Sequence, residues 1–284
     1  MDQAITPAAK SILLEFTSRM TFAARQRLAL TDALDGFRLL PLAWKLGWLD
    51  IRLRYRGSLL GPFWLTLSTA VMVFALGVLY AGLFKMDIHE YLPSLALSLV
   101  LWGFFSSMVA EGSTTFNEAE AIIRSMRMPL MVFALRTVIR NILVLAHNVI
   151  VIVVVFAIFS VWPGWHVVLM LPGLVLWVVD AIALVLLLGP LCARFRDIPP
   201  IVNSVMQIAF FITPILWKPE QLGASAWTLP FNPFYDLIEV VRSPLLGSFP
   251  PSDAWLAGLG YSIVLCVLAW IFFVRARGRV AFWL

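Results

Sequence analysis

Long stretches without any charged side chain limit the fold of this sequence more than any other feature. Residues 59–84 form one such stretch. At about 1.5 Å per residue, a helix of that length crosses the ~30 Å hydrocarbon core of a bilayer with some tilt. Because the apolar runs are continuous rather than alternating, they predict membrane-spanning α-helices and not the strands of a barrel.

Six runs of this kind predict an all-α polytopic membrane protein with six transmembrane helices over 59–274. The composition agrees, since 61% of the residues are hydrophobic and 13% are charged, against about 45–50% and about 25% in a soluble domain. These values exclude a soluble enzyme, a disordered chain and a nucleic-acid-binding protein. The predicted spans are 59–84, 91–110, 138–161, 166–191, 199–217 and 254–274.

The distribution of basic residues predicts the orientation. Of the 21 lysines and arginines, only Lys85, Lys218 and Arg242 lie on one side of the predicted spans. Because cytoplasmic connections carry the excess of Lys and Arg, both termini are predicted to be cytoplasmic. The basic segments on that side are 1–58, 111–140, 192–198 and the residues after 274.

The two terminal segments are assigned from the same distribution. Residues 1–35 are polar and charged and have no apolar run typical of a signal peptide. They are predicted to be a cytoplasmic N-terminal segment. Residues 275–284 are predicted to be a cytoplasmic basic tail.

An amphipathic helix is predicted over 36–58, ahead of the first span. Asp50 and Arg54 have the spacing of a favourable i,i+4 ion pair. A helix of this kind lies in the membrane interface, where its basic groups meet lipid phosphates. The alternative is a simple basic flank of the first span. The leucines of one face are Leu42, Leu46, Leu49 and Leu53, and the basic residues off that face are Lys45, Arg52 and Arg56.

A second short helix is predicted in the connection 111–140. Thr115 and Glu118 have capping-box spacing, and Pro129 ends the helix. Such a helix either lies on lipid or docks into a groove of a soluble partner, and the pattern leaves both open. The apolar face consists of Ala119, Ile122, Ile123 and Met126, with Arg124 and Arg127 off it.

The connection 218–253 is rich in proline, yet residues 234–241 are too apolar for a solvated loop. Asp236 and Glu239 are the acids of that stretch. An external pair of re-entrant or interfacial short helices is predicted there.

Several catalytic signatures are absent. No lysine follows a glycine, so the sequence has no phosphate-binding loop and is not predicted to be an ATPase. The three histidines have no metal-ligand spacing, so no metal site is predicted. Asp180 interrupts the fourth predicted span. It is either a functional group in a proton or substrate pathway, or a hydrogen-bond partner for a neighbouring helix.

Five stretches, in this order and topology, resemble the permease subunit of ABC-2 type polysaccharide exporters, the O-antigen, capsule and teichoic-acid group. The resemblance covers most of the chain from about residue 36 onward. The matching stretches are RYRGSLLGPFWLTL at 54–67, AIIRSMRMP at 121–129, FITPILW at 211–217, FNPFYDLIEVVR at 231–242 and RARGRVAFWL at 275–284.

The resemblance implies a homodimer that binds two copies of a separate nucleotide-binding subunit. ATP and Mg would be used by that subunit, and this chain would bind no cofactor. The cargo would be a polysaccharide on undecaprenyl pyrophosphate, moved across the bacterial inner membrane. An ABC-2 type exporter permease for a small drug or a lipid is the alternative. A proton-coupled transporter that uses Asp180, and a membrane scaffold, are further alternatives.

The resemblance also suggests roles for individual residues. The helix at 117–128 would be the coupling helix seated in the ATPase, through Glu118, Ile122, Ile123, Arg124, Met126 and Arg127. Lipid pyrophosphate would enter near Leu60 and Gly61, with Arg52, Arg54 and Arg56 as its candidate ligands, because guanidinium groups pair with phosphate oxygens. The outer segment 219–247 would form a periplasmic gate that includes Asn232, Pro233 and Arg242. Aromatic side chains suited to lining a glycan pathway are Tyr80, Trp102, Phe104 and Phe105.

Overall fold

The computed structural model describes residues 21–284, and all regular structure in that range is helical. The predicted N-terminal segment 1–35 therefore lies mostly outside the described residues. The α-helices are α1 (Phe22–Arg38), α2 (Leu40–Arg54), α3 (Phe63–Phe84), α4 (Ile88–Glu118), α5 (Glu120–Ser125), α6 (Leu130–Ile158), α7 (Met170–Arg194), α8 (Ile198–Ile212), α9 (Pro233–Leu245), α10 (Ser252–Ala276) and α11 (Val280–Trp283). Three 3₁₀ segments are Gly164–Leu169, Pro219–Phe231 and Arg277–Arg279.

Within residues 21–284, five helical stretches are long and apolar enough to cross a membrane, as expected for a polytopic membrane protein. The predicted sixth span, at 199–217, is not confirmed. That region forms α8, which has 15 residues and is shorter than the ~20 needed to cross the hydrocarbon core. The chain turns after Ile212, next to Pro214. The five stretches are Phe63–Phe84, Ile88–Ser125, Leu130–Ile158, Gly164–Arg194 and Ser252–Trp283.

Helix α4 is the centre of the bundle. Of the residues in its most apolar stretch, 78% are buried, whereas 17% are buried in the corresponding stretch of α3. Helices α3, α6, α7 and α8 all pack against α4. The outward faces of the surrounding helices are apolar, which suits contact with lipid tails.

The aromatic residues predicted to line a pathway belong to this core. Trp102, Phe104 and Phe105 are buried. Trp177 of α7 stacks on Phe104 with ring centroids 5.5 Å apart and contacts Phe105 edge-on at 4.5 Å. Tyr80 is half-buried. The rings of Trp102, Phe104 and Phe105 thus pack against neighbouring helices of the same chain, and a role of the four aromatic residues in lining a pathway stays a prediction.

Asp180 lies in α7 and is buried, with 5% of its surface exposed. The Ser262 hydroxyl of α10 donates a hydrogen bond to Asp180 Oδ2 at 2.7 Å. Asp180 Oδ1 has no partner among the described residues. Of the two interpretations from the sequence, this geometry favours a polar link between adjacent helices.

The segment predicted as one amphipathic helix over 36–58 is divided at Leu39 into α1 and α2. Both helices pack on the start of α6 through small residues. A Cβ atom on Gly36 would lie 2.4 Å from Met131 Cβ, and one on Gly47 would lie 3.0 Å from the Arg136 carbonyl oxygen. A side chain at Gly36 would overlap Met131, and one at Gly47 would force its neighbours to shift by a few tenths of an ångström, so glycine allows this close approach.

The leucine face of α2 packs on the bundle only in part, since Leu42 and Leu46 are half-buried. Ala43, Gly47 and Ile51 are the buried residues of this helix. Leu49 and Leu53 are exposed, as are the nearby tryptophans Trp44 and Trp48. An outward apolar face beside basic residues is typical of a helix in the membrane interface, so that role remains the prediction for α2.

We expect Gly36→Ala to destabilise the protein by about 1–3 kcal/mol, because the added methyl group would overlap the Met131 side chain and backbone shifts would follow. Gly103→Ala is the matched control. Gly103 is exposed on α4 and has open space around its Cβ position, so alanine there should be neutral or stabilising by about 0.5–1 kcal/mol. Unfolding in a mixed-detergent titration measures both, and equal effects would contradict the packing argument.

Candidate functional site at the basic end

We call the end of the bundle formed by α1, α2, α5 and α11 the basic end. A charge network of Asp50, Arg54, Glu111, Glu118, Arg136 and Arg140 joins three helices there. Arg136 of α6 donates two hydrogen bonds to the Asp50 carboxylate of α2, at 2.7 and 2.6 Å. Paired bonds of this kind fix the orientation of both groups.

Arg140 is the most buried member of the charge network, with 7% of its side chain exposed. Its Nε atom donates to Glu111 Oε2 at 2.8 Å, and its Nη1 atom lies 3.4 Å from Asp50 Oδ2. Asn141 donates to the same Glu111 oxygen at 2.7 Å. Arg140 therefore links α2, α4 and α6 in one cluster, and its charge is compensated within the fold.

The predicted pair between Asp50 and Arg54 does not form. Arg54 Nη2 donates instead to Glu111 Oε1 at 3.0 Å, while Asp50 pairs with the arginines of α6. The i,i+4 rule describes an isolated helix, and here α4 and α6 supply stronger partners. The guanidinium group of Arg54 is consequently paired with a carboxylate of the same chain.

Arg52 and Arg56 differ from Arg54. Both are exposed, and neither forms an ion pair within residues 21–284. They lie just before the turn that contains Leu60 and Gly61. Leu60 is exposed, and Gly61 has a left-handed backbone with φ of +54°, a conformation that glycine adopts without strain. Of the three arginines predicted to bind an anion, two are therefore available.

The predicted capping box at Thr115 and Glu118 is wrong. Helix α4 continues through both residues, and the Thr115 hydroxyl donates to the Glu111 carbonyl at 2.7 Å. Thr115 also bonds to the Thr137 hydroxyl at 3.1 Å. Because its hydroxyl group is satisfied inside the bundle, it is not free to cap a helix. The short helix is thus α5, Glu120–Ser125, rather than 117–128.

Helix α5 presents a mixed surface. Ile122 and Ile123 are half-buried against the bundle, whereas Met126 and Arg127 are exposed. Arg124 pairs with Glu120 at 3.0 Å along the exposed side of the helix. The atoms available to a partner are therefore those of Met126, Arg127 and the charged side chains.

Glu118 lies at the end of α4, immediately before α5. The Thr114 hydroxyl donates to Glu118 Oε1 at 2.7 Å. Arg140 Nη1 lies 3.8 Å from Glu118 Oε2. The start of the connection that carries α5 is therefore attached to the charge network.

Asp32 of α1 fixes the other end of that connection, a role that no pattern in the sequence predicted. Its carboxylate accepts hydrogen bonds from the backbone N–H groups of Leu130 and Met131, at 3.2 and 3.1 Å, and from Arg277 Nε at 2.7 Å. These partners are about 100 and 245 residues away in the chain. Local spacing carries no signal for such a contact.

At the opposite end, Asn232 caps α9. Its side-chain oxygen accepts from the Phe234 and Tyr235 N–H groups at 3.1 and 3.3 Å, and Pro233 occupies the first turn. Its amide donates to Thr213 Oγ1 at 3.0 Å. The predicted pair of short external helices corresponds to the 3₁₀ segment Pro219–Phe231 and to α9.

Arg242 of α9 is buried and bonded on several sides. Its Nη1 atom donates to Ser98 Oγ at 3.0 Å and to the Pro214 carbonyl at 2.8 Å, and its Nε atom donates to Glu239 at 2.9 Å. Burial, together with Asp253 and Glu239, raises the pKa of nearby Asp236 to about 7. Arg242 therefore fixes α9 to α4 and to the turn after α8.

We expect Arg140→Gln to lower the free energy of unfolding by about 3–5 kcal/mol, because Glu111 and Asp50 would lose a buried partner. Arg54→Gln is the control, since Arg54 also pairs with Glu111 but is 45% exposed. Its loss should cost about 0–1 kcal/mol. Titration with a denaturing detergent measures both variants, and equal destabilisation would contradict the assigned role of Arg140.

Among the described residues, no group of three or more His, Cys, Asp or Glu side chains is arranged to hold a metal ion. The site at the basic end consists of the charge network, the exposed arginines Arg52 and Arg56, and the short helix α5.

Comparison with known proteins relates this architecture to a transporter family. The chain is 24% identical over 236 residues to the O-antigen export system permease protein RfbA of Myxococcus xanthus, which covers 82% of this chain and 91% of that protein. An O-antigen export system permease protein RfbA of Klebsiella pneumoniae is 23% identical over 194 residues, or 66% of this chain and 74% of the relative. The ABC-2 type transporter family matches residues 42–246. The match covers most of the helical bundle, and the chain therefore belongs to the ABC-2 type transporter family.

Proposed function

We propose that this chain is the permease of an ATP-driven exporter that moves lipid-linked polysaccharide, such as O-antigen on undecaprenyl pyrophosphate. It would act as a homodimer with two copies of a separate ATPase subunit. It would lie in the bacterial inner membrane with both termini in the cytoplasm, as the distribution of basic residues predicts. The names of its relatives support the class of cargo.

The exposed pair Arg52 and Arg56 is the observation that carries the choice of cargo. Both side chains lie on or just after α2, beside the turn at Leu60 and Gly61, and no ion pair within the described residues engages them. Guanidinium groups bind phosphate oxygens through paired, charge-assisted hydrogen bonds. A lipid diphosphate at the membrane interface would meet these arginines, while Arg54 stays bonded to Glu111.

The exposed surface of α5 and of the two residues that follow it, Met126 and Arg127, supports the requirement for an ATPase partner. A permease of this family depends on energy from ATP hydrolysis, and this sequence contains no phosphate-binding loop. Met126 and Arg127 provide an apolar and a charged contact next to one another. Such a pair suits docking into a groove on a soluble protein.

An ABC-2 type exporter of a small drug or a lipid is the second candidate, since that class has a similar helical membrane unit. A neutral drug would have no use for the exposed arginines. A proton-coupled mechanism through Asp180 is less well supported, because Asp180 serves as the hydrogen-bond partner of Ser262.

Depletion of the protein in its native host tests the cargo. We expect lipid-linked polysaccharide to accumulate on the cytoplasmic side of the inner membrane while surface polysaccharide falls, because the lipid carrier cannot cross unaided. Mass spectrometry of the lipid fraction and staining of surface glycan measure the two pools. Normal surface glycan without internal accumulation would favour the small-molecule alternative.

Charge reversal at Arg127, two residues after α5, tests docking through α5 and the residues that follow it. We expect Arg127→Asp to weaken binding of the ATPase subunit by about 30-fold, the effect of a 2 kcal/mol interface residue. Arg27→Asp is the matched control, because Arg27 is also exposed at the basic end but lies on α1. Affinity measurements with purified subunits in nanodiscs compare them. Equal effects would show that the change acts through net charge alone. Ile123 is unsuitable for this test because it is half-buried.

A further inference from the structure

Asp32 is a buried carboxylate that the proposed function does not use. Its side chain is 1% exposed, and it joins three parts of the chain that are distant in sequence. Leu130 and Met131 contribute backbone N–H groups, and Arg277 contributes its guanidinium group. We call these four residues the Asp32 cluster.

The Asp32 cluster is complementary in charge. The N–H groups of Leu130 and Met131 open α6 and have no partner within that helix. The N-terminus of a helix carries a partial positive charge, so a carboxylate is stabilised there. Arg277 adds a full positive charge at 2.7 Å. A single buried acid therefore ties α1 and the segment after α10 to the first turn of α6.

This first turn is the downstream attachment of the connection that carries α5. Only residues 126–129 separate α5 from α6. The upstream attachment is Glu118, held by Thr114 and close to Arg140. No residue of α5 itself is fully buried. The helix is thus an exposed element whose two ends are fixed to ionic groups of the bundle.

We propose that Asp32 is a positioning residue for energy coupling. It holds the end of the α5 connection against α1 and Arg277, so that a displacement of α5 by the ATPase moves α6 instead of being absorbed in residues 126–129. This inference rests on the proposed function, since it assigns to α5 the role of the ATPase contact. Asp32 itself touches neither the ATPase nor the cargo.

The same helix provides a matched control. Asp35 lies three residues after Asp32 and pairs with Arg38 at 3.1 Å. Both members of that pair are exposed, with 52% and 78% of their side chains accessible, so water screens their attraction. Asp35→Asn changes the charge of α1 by the same amount as Asp32→Asn but leaves the Asp32 cluster intact.

The first experiment measures ATP hydrolysis and polysaccharide transport by the permease–ATPase complex in vesicles that contain the lipid-linked polysaccharide of the host. We expect Asp32→Asn to keep the complex assembled and hydrolysis near the native rate, while polysaccharide transported per ATP falls at least about fivefold. Asp35→Asn should match the native protein. Where Asp32→Asn fails to assemble, Arg277→Gln takes its place in the experiment, because it leaves both backbone hydrogen bonds of Asp32 intact. We expect Arg277→Gln to lower the same ratio of transport to hydrolysis.

Two results would overturn the proposal. The first is a ratio of transport to hydrolysis in Asp32→Asn that equals the native ratio, which would show that the Asp32 cluster is not needed for coupling. Where Asp32→Asn does not assemble, the same result in Arg277→Gln would show this. Equal losses of hydrolysis and transport would show that Asp32 only supports the fold. Failure of the native complex to move the polysaccharide would instead count against the proposed cargo.

The second experiment is independent of cargo and ATPase. Nitroxide labels at Gln26→Cys on α1 and Ser125→Cys on α5, with Cys192 and Cys266 replaced by alanine, report the distance between these helices by pulsed electron resonance. The labelled protein is diluted with unlabelled protein, so that a dimer carries labels on only one protomer. We expect one narrow distribution in the native background and in Asp35→Asn, and a broad one in Asp32→Asn. An unchanged distribution in Asp32→Asn would overturn the positioning role whatever the transporter carries.

Discussion

The buried guanidinium group of Arg140 is the interaction on which the basic end of this protein depends. A charged group near the hydrocarbon boundary is stable only when it is paired and fully hydrogen-bonded. Arg140 meets that condition by contacting Asp50 of α2 and Glu111 of α4 from its own position on α6. This pairing links α2, α4 and α6 near the start of the α5 connection.

The same requirement recurs at the opposite end of α4. Arg242 is buried there and contacts Ser98, Pro214 and Glu239. Helix α4 is therefore anchored near both of its ends by arginines from other helices, with an aromatic core between the anchors. Apolar packing alone provides little direction for association inside a membrane, where lipid tails are as apolar as leucine. The polar contacts of Arg140 and Arg242 therefore fix how the neighbouring helices align along α4, which apolar packing alone would not do.

Much of the fold could be predicted from the sequence, because long uncharged runs have few stable solutions in a membrane. An apolar run does not reveal where a helix inside it ends, so the sequence of the predicted span at 199–217 did not indicate that α8 ends at Ile212. The leucine stripe of α2 predicted an interfacial helix, but it did not indicate that Ala43 and Gly47 form the buried contact of this helix with the bundle. Contacts such as Asp32 with Arg277 depend on tertiary structure, so no local pattern could indicate them.

Identical side chains at neighbouring positions acquire different chemistry from the acids that surround them. From the sequence alone, these residues are equally suited to bind an anionic ligand: Arg52, Arg54 and Arg56. Glu111 engages Arg54, and a ligand would have to compete with that carboxylate for the same guanidinium group. Arg52 and Arg56 face no such competition among the described residues. The placement of a single acid on α4 thereby divides a run of basic residues into one that is paired within the chain and two that form no ion pair among the described residues.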